Sequence, residues 1–228
     1  MCNHYEKNVE VISWAAGFFG VTHDLTPVSV EGDVLPVPYE AWPKWKAPVV
    51  YSRAAGPVLT AMRWGVSVKV NGKLNNVTNA RDDKLAGYPW RYAVAERRCL
   101  IPASAYFEPG LGPPGARGEI RFAVRDRPCF FIAGLWDQDD GVDGERGFTL
   151  VTTKPNDYAA RFHDRMPVVL SDSDAREWLG HAPLAPDRLA ALCRGAPSEI
   201  LQHTDIAAVP RKKVTKTDLQ ASDGELLF

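Results

Sequence analysis

The chain has 228 residues, 45% hydrophobic and 24% charged, with a formal net charge of −1: apolar content for one full core, and no global pull toward nucleic acid. Four cysteines (Cys2, Cys99, Cys129, Cys193) lack the spacing of a zinc site and are too scattered for a disulfide framework, so no metal or cofactor is expected, and a reducing compartment is. No basic segment followed by an apolar one opens the chain, and no run of about 18 apolar residues occurs, so a cytoplasmic protein without a membrane span is expected.

Val9, Ile12, Ala16 and Phe19 recur at helical spacing and predict a helix that anchors the residues before it. Runs rich in β-branched and aromatic residues predict strands over 49–52, 58–66, 99–102, 120–124, 129–136, 148–153 and 168–170. Arg125 to Pro128 has the chemistry of a hairpin turn, and Asp140-Gly141 that of a second. Helical patterns cover 90–97 and 172–179, the latter opened by Ser171 with Asp174 three residues on, a capping-box arrangement. The Gly/Pro-rich segment 111–118 is a loop and no phosphate cradle, because no Gly-Lys-Ser/Thr follows. The expected fold is α+β: a single domain over 1–213, mostly antiparallel sheet with a few flanking helices, then a polar tail at 214–228.

Cys2 is the most informative position. An initiator methionine is normally removed before so small a side chain, which leaves Cys2 with a free α-amine two bonds from its thiol. An amine of pKa roughly 7.7 to 8.0 and a thiol of roughly 8.5 are both partly nucleophilic near neutrality. Such a residue condenses twice with one aldehyde, through a Schiff base and then a five-membered thiazolidine. Selection for methionine removal alone explains the residue equally well.

Four other segments concentrate reactive side chains. In Thr78-Asn79-Ala80-Arg81 an amide and a guanidinium two residues apart point the same way from extended backbone. Glu108 closes an apolar stretch, 101–108, where a carboxyl loses its preference for the charged form and becomes an acid/base near neutrality. His163-Asp164-Arg165 precedes Met166-Pro167 and offers an imidazole, the side chain that titrates nearest physiological pH. Arg63-Trp64 joins a cation to a large aromatic, a pair able to grip a phosphate and stack a base. Each has a plainer explanation: a turn cap, a loop-edge carboxylate, a structural histidine, a core tryptophan.

Taken in order, Met1-Cys2, Arg63-Trp64-Gly65, Asn79-Ala80-Arg81, Ile101-Pro102-Ala103 with Tyr106-Phe107-Glu108, Ala133-Gly134-Leu135-Trp136, Thr152-Thr153 with Asn156, and His163 to Pro167 resemble the SOS-response-associated peptidase (SRAP) family of abasic-site processing proteins, from residue 2 to about residue 213. The resemblance implies a curved or barrel-like sheet and a covalent thiazolidine crosslink between Cys2 and the ring-opened aldehyde of an abasic site in single-stranded DNA. It implies catalytic roles for Cys2, Asn79, Glu108 and His163, and a DNA side formed by His4, Arg63, Trp64, Arg81 and Arg165. The expected partner is abasic single-stranded DNA, met by a monomer that is nucleoid-associated when bound. The chain departs from the family's usual Met-Cys-Gly-Arg start with Asn3-His4, and places Asp82-Asp83 after Arg81. A thiol (auto)peptidase using Cys2, His163 and Asn79, and a non-covalent single-strand-binding module, are the alternative readings.

Overall fold

Nearly every residue of the segment 146–153 is buried on both faces, and the molecule is organised around it. The structure, a computed structural model, describes residues 2–21, 39–110, 118–138 and 146–207. In chain order the strands are β1 (Tyr5–Lys7), β2 (Tyr39–Ala41), β3 (Lys46–Arg53), β4 (Gly56–Trp64), β5 (Val66–Val70), β6 (Lys73–Val77), β7 (Asn79–Arg81) and β8 (Arg98–Ala103). They continue with β9 (Ala105–Pro109), β10 (Glu119–Val124), β11 (Phe130–Gln138), β12 (Arg146–Thr153), β13 (Met166–Pro167), β14 (Val169–Leu170) and β15 (Leu201–Ile206). The helices are α1 (Val9–Phe19), α2 (Arg91–Glu96), α3 (Asp172–Leu179) and α4 (Pro186–Leu192).

Strands β12, β4, β3, β8 and β11 pair in succession, and β11 returns to β12, so the sheet closes on itself and hides its edges. Alternation along these strands divides the core in two. Val49, Tyr51, Met62, Trp64, Ile101, Ile132, Phe148 and Leu150 fill the interior. Val50, Leu59, Leu100, Phe131, Leu135 and Val151 face outward and are covered by Ala15 and Ala16 of α1, Ala93 and Val94 of α2, and Ala175, Trp178 and Leu179 of α3. Trp178 also donates from its indole to the carbonyls of Cys99 (3.0 Å) and Gly134 (3.2 Å), which ties α3 to the barrel. A Cβ at Gly134 would collide with the end of the Ile101 side chain and crowd Cys99 and the Thr149 carbonyl.

A second sheet, ordered β15-β10-β9-β1-β2, carries the chain's start. Tyr5 pairs with Tyr106 across β1 and β9, and the N–H of Phe107 donates to the His4 carbonyl (3.0 Å). Along β9, Tyr106 and Glu108 share one face and Phe107 takes the other. Tyr106, Ile120 and Phe122 join Cys2 and Tyr5 in the barrel's interior cluster, so the second sheet packs its inner face there.

The helix expected near the start is α1, capped by Asn8, whose Oδ1 accepts from the Val11 N–H (2.8 Å), and ended by Gly20 at φ 64°. Ser171 caps α3 as its sequence predicts, accepting from the Asp174 N–H at 3.2 Å. Two expectations need correction. The strand over 58–66 is broken at Gly65, whose φ of 124° ends β4 and redirects the chain into β5. The turn at 125–128 exists, with Asp126 at φ 57°, but it joins strands of different sheets: β10 pairs with β9 and β15. The pairing is mostly antiparallel, as expected, with β12 running parallel to β4 and β7. Asp140-Gly141, most of the 111–118 loop and the 214–228 tail lie outside the described residues.

Candidate active site

Four segments distant in sequence meet at the inner end of β1. Cys2 enters the barrel's interior cluster just before β1, with its thiol fully buried and donating to the His4 carbonyl at 3.4 Å. Asn79 begins β7, which lies parallel to β12 with Asn79 opposite Leu150. The preceding carbonyl, of Thr78, is held by the Leu150 N–H and the Trp64 indole, both at 3.0 Å. Asn79 Nδ2 then donates to the carbonyl of Cys2 (2.9 Å) and to Thr78 Oγ1 (3.1 Å). Its Oδ1 is buried and finds no hydrogen-bond partner among the described residues.

Glu108 reaches in from β9 with a side chain only 2% exposed, its Oε2 at 3.7 Å from Nε2 of His163. His163 follows the turn at Ala159–Arg161, and its N–H returns to the Ala159 carbonyl (3.1 Å). Asn156 fixes that turn, accepting from the Ala159 N–H (2.8 Å) and donating to the Ala196 carbonyl (2.6 Å). Nδ1 of His163 lies 3.1 Å from the Arg165 backbone nitrogen, 3.2 Å from the Arg165 carbonyl oxygen and 3.0 Å from Asp164 Oδ1, while Nε2 faces Glu108.

The electrostatics suit proton transfer. Burial pushes the Glu108 carboxyl up to about 7, against the opposing pull of the positive amino terminus, here that of Met1 ahead of Cys2, with Asp164 adding to the rise. His163 is lowered, first by burial and then by that same amino-terminal charge. The Cys2 thiol is raised far above its usual value by burial and by the Glu108 carboxylate, so the resting group is a thiol and no preformed thiolate. Near neutrality the site therefore holds a carboxyl poised to exchange its proton, a neutral imidazole and a protonated sulfur.

The residues expected on the DNA side are differently placed. Trp64 is fully buried in the core, its indole N–H committed to Thr78. His4 is buried between the rings of Trp42 and Phe107 (centroids 4.0 and 3.9 Å away), its two nitrogens facing Glu40 (3.3 Å) and Glu119 (3.2 Å). Arg63 is buried and donates to Asn76 (2.7 Å). Arg165 is buried and pairs with Asp82 (2.7 Å), which also accepts from Thr153 (2.9 Å). Arg81 alone of these reaches solvent, and Asp83 holds it with two 2.9 Å hydrogen bonds. Asp82 and Asp83 thus occupy the guanidinium groups of Arg165 and Arg81. Tyr106, which reading the sequence did not single out, is a further buried polar group here. Its position two residues before Glu108, on the same strand face, was the available signal.

Among the described residues no three His, Cys, Asp or Glu side chains converge as metal ligands, and no helix is long and apolar enough to cross a membrane.

A family model described as SOS response associated peptidase (SRAP) matches residues 1–213, and the chain belongs to that family. The chain is 30% identical over 171 residues to the abasic site processing protein YoqW of Bacillus subtilis, covering 71% of this chain and 75% of that protein. It is 29% identical over 171 residues to YobE of the same organism, also named an abasic site processing protein, covering 71% and 76%. Among solved structures, a protein from Bacteroides thetaiotaomicron matches the fold with a TM-score of 0.73 at 22% identity, over 93% of this chain and 97% of that one.

Proposed function

We propose that this protein processes abasic sites in single-stranded DNA by forming a thiazolidine between its amino-terminal Cys2, exposed by removal of Met1, and the C1′ aldehyde of the opened sugar. The observation that carries this reading is Glu108: a buried carboxyl at about 7 whose charge acts on the Cys2 thiol and which also feels the amino terminus, that of Met1 just ahead of Cys2. Such a group accepts a proton from the attacking amine and returns one to the departing hydroxyl.

The sequence of events then follows from the side chains. His163, partly open to solvent, moves the proton between ring oxygen and O1 that frees the aldehyde. The α-amine adds to the carbonyl, and Glu108 protonates the carbinolamine hydroxyl so that one water leaves and a Schiff base remains. Asn79, bonded to the Cys2 carbonyl, holds the residue in register with that carbon. The thiol adds across the C=N bond, sulfur to carbon and proton to nitrogen, and consumption of the imine removes the intermediate from which β-elimination would break the strand. The net loss is one water.

The two alternatives find less support. A thiol peptidase needs a thiolate favoured by a neighbouring cation, whereas burial and Glu108 push the Cys2 proton affinity up. The non-covalent strand binder is read from Arg63-Trp64, and there Trp64 is buried and Arg63 is held by Asn76.

The test is a denaturing gel of protein lacking Met1, verified by intact mass, mixed with a single-stranded oligonucleotide carrying one abasic site. A heat-resistant adduct that Cys2→Ala abolishes is expected. A parent complex that denaturant disperses, or an adduct retained by Cys2→Ala, would overturn the reading.

A further inference from the structure

Tyr106 presents an unexplained expense. Its ring is 1% exposed and stacked on Phe122, with centroids 5.0 Å apart and planes 11° from parallel. Its hydroxyl is buried with no hydrogen-bond partner among the described residues. A buried phenol normally finds a partner, and leaving one without costs stability that phenylalanine would avoid. Burial first, and then any charge that develops on Cys2 or Glu108, hold the hydroxyl in its neutral, donor form. Asn79 Oδ1, on the residue hydrogen-bonded to Cys2, is a second buried polar atom without a partner among the described residues.

Resting on the thiazolidine reading above, we propose that Tyr106 is a catalytic residue of ring closure, donating its O–H to the Cys2 sulfur as that sulfur gives up its proton and bonds to the imine carbon. Closure is the step the resting site opposes most. The thiol is protonated and buried, and its negatively charged neighbour Glu108 disfavours charge on sulfur. A neutral donor stabilises that developing charge without adding charge of its own. In the step the S–H bond breaks, the S–C bond forms, the C=N π pair moves to nitrogen, and nitrogen gains the proton. Tyr106 keeps its own proton throughout. This assigns the amine's steps to Glu108 and the sulfur's step to Tyr106, two side chains aligned on one face of β9.

The test uses Tyr106→Phe, which keeps the stacked ring and removes only the oxygen. Parent and variant, both lacking Met1, are mixed with acetaldehyde, quenched at short times with cyanoborohydride and weighed intact. The reagent captures open Schiff base as a reduced amine two hydrogens heavier than the thiazolidine. The parent should pass to thiazolidine with little captured imine. Tyr106→Phe should form imine at the parental rate, close the ring about tenfold to a hundredfold more slowly, accumulate the heavier reduced product, and melt at an equal or higher temperature. Parental closure by Tyr106→Phe overturns this inference alone. So does equal slowing of imine formation and closure with a lowered melting temperature, because that pattern marks a structural role. No aldehyde adduct on the parent at all would overturn the thiazolidine reading and this inference with it.

Discussion

Replacing Glu108 by glutamine tests the electrostatics of the site independently of any DNA. The fold raises this carboxyl from its ordinary 4.5 to about 7, mainly through burial. Between those values the folded chain holds a proton that the unfolded chain has released, so folding stability falls as pH rises. Below 4.5 both states are protonated and the stability associated with this group is fully present; it is lost as pH rises through 7. The rise from 4.5 to about 7, at about 1.4 kcal/mol per pH unit, amounts to about 3.5 kcal/mol in full, of which about 3 kcal/mol is lost between pH 4.5 and 7.5. The amide that replaces the carboxyl in Glu108→Gln cannot titrate. Urea unfolding of parent and Glu108→Gln at several pH values from 4.5 to 7.5 should therefore show a difference that drifts by about 3 kcal/mol against the parent, most steeply between 5 and 7. The absolute offset matters little, since the amide makes its own hydrogen bonds; the drift is the measurement. A constant difference across that range would mean that Glu108 titrates normally and has no proton to exchange at neutral pH.

Three further outcomes follow from the same geometry. A protein forced to retain Met1, or acetylated on its α-amine, should keep its melting temperature and fail to form adduct in the denaturing gel; undiminished adduct would point to another nucleophile. His163→Ala should slow adduct formation about tenfold or more on an abasic oligonucleotide and much less on a simple aldehyde that has no ring to open, with equal slowing on both substrates contradicting its place at the sugar. Asp83→Asn should free the Arg81 guanidinium for phosphate, raising single-strand affinity at low salt and steepening the dependence of log K on log salt by about one phosphate contact; an unchanged slope would place Arg81 off the path of the strand.

The four residues that the fold gathers around Cys2 were legible because they are unusual in type and stand at recognisable spacing: a cysteine behind Met1, an amide in Asn79-Ala80-Arg81, a lone carboxylate after an apolar run, a histidine ahead of Met166-Pro167. The cap residues Asn8 and Ser171 likewise announce the helices they begin, since capping is a local interaction. What sequence conveyed poorly was burial. Arg63-Trp64 has the composition of a strand-gripping pair, yet Trp64 points into the barrel because strand alternation puts it in register with Met62. His4 and Arg165 are polar residues whose partners, Glu40 and Glu119 for one and Asp82 for the other, come from remote segments. Strand β15 escaped notice because Gln202, His203, Thr204 and Asp205 lack the apolar alternation of a half-buried strand; its pairing along the whole of β10 is what holds it. Tyr106 was passed over for the opposite reason, as an aromatic in an apolar run whose hydroxyl acquires meaning only once its missing partner is seen.

The most direct measurement of the central claim is peptide mapping of the adduct. After nuclease trimming and proteolysis, tandem mass spectrometry should find the sugar remnant on the amino-terminal peptide beginning at Cys2, its mass equal to peptide plus sugar less one water, with no free thiol or free α-amine left on that residue. A remnant on a lysine, or on Cys2 with its α-amine still free to react, would contradict the thiazolidine and with it the roles given to Glu108, Asn79 and His163.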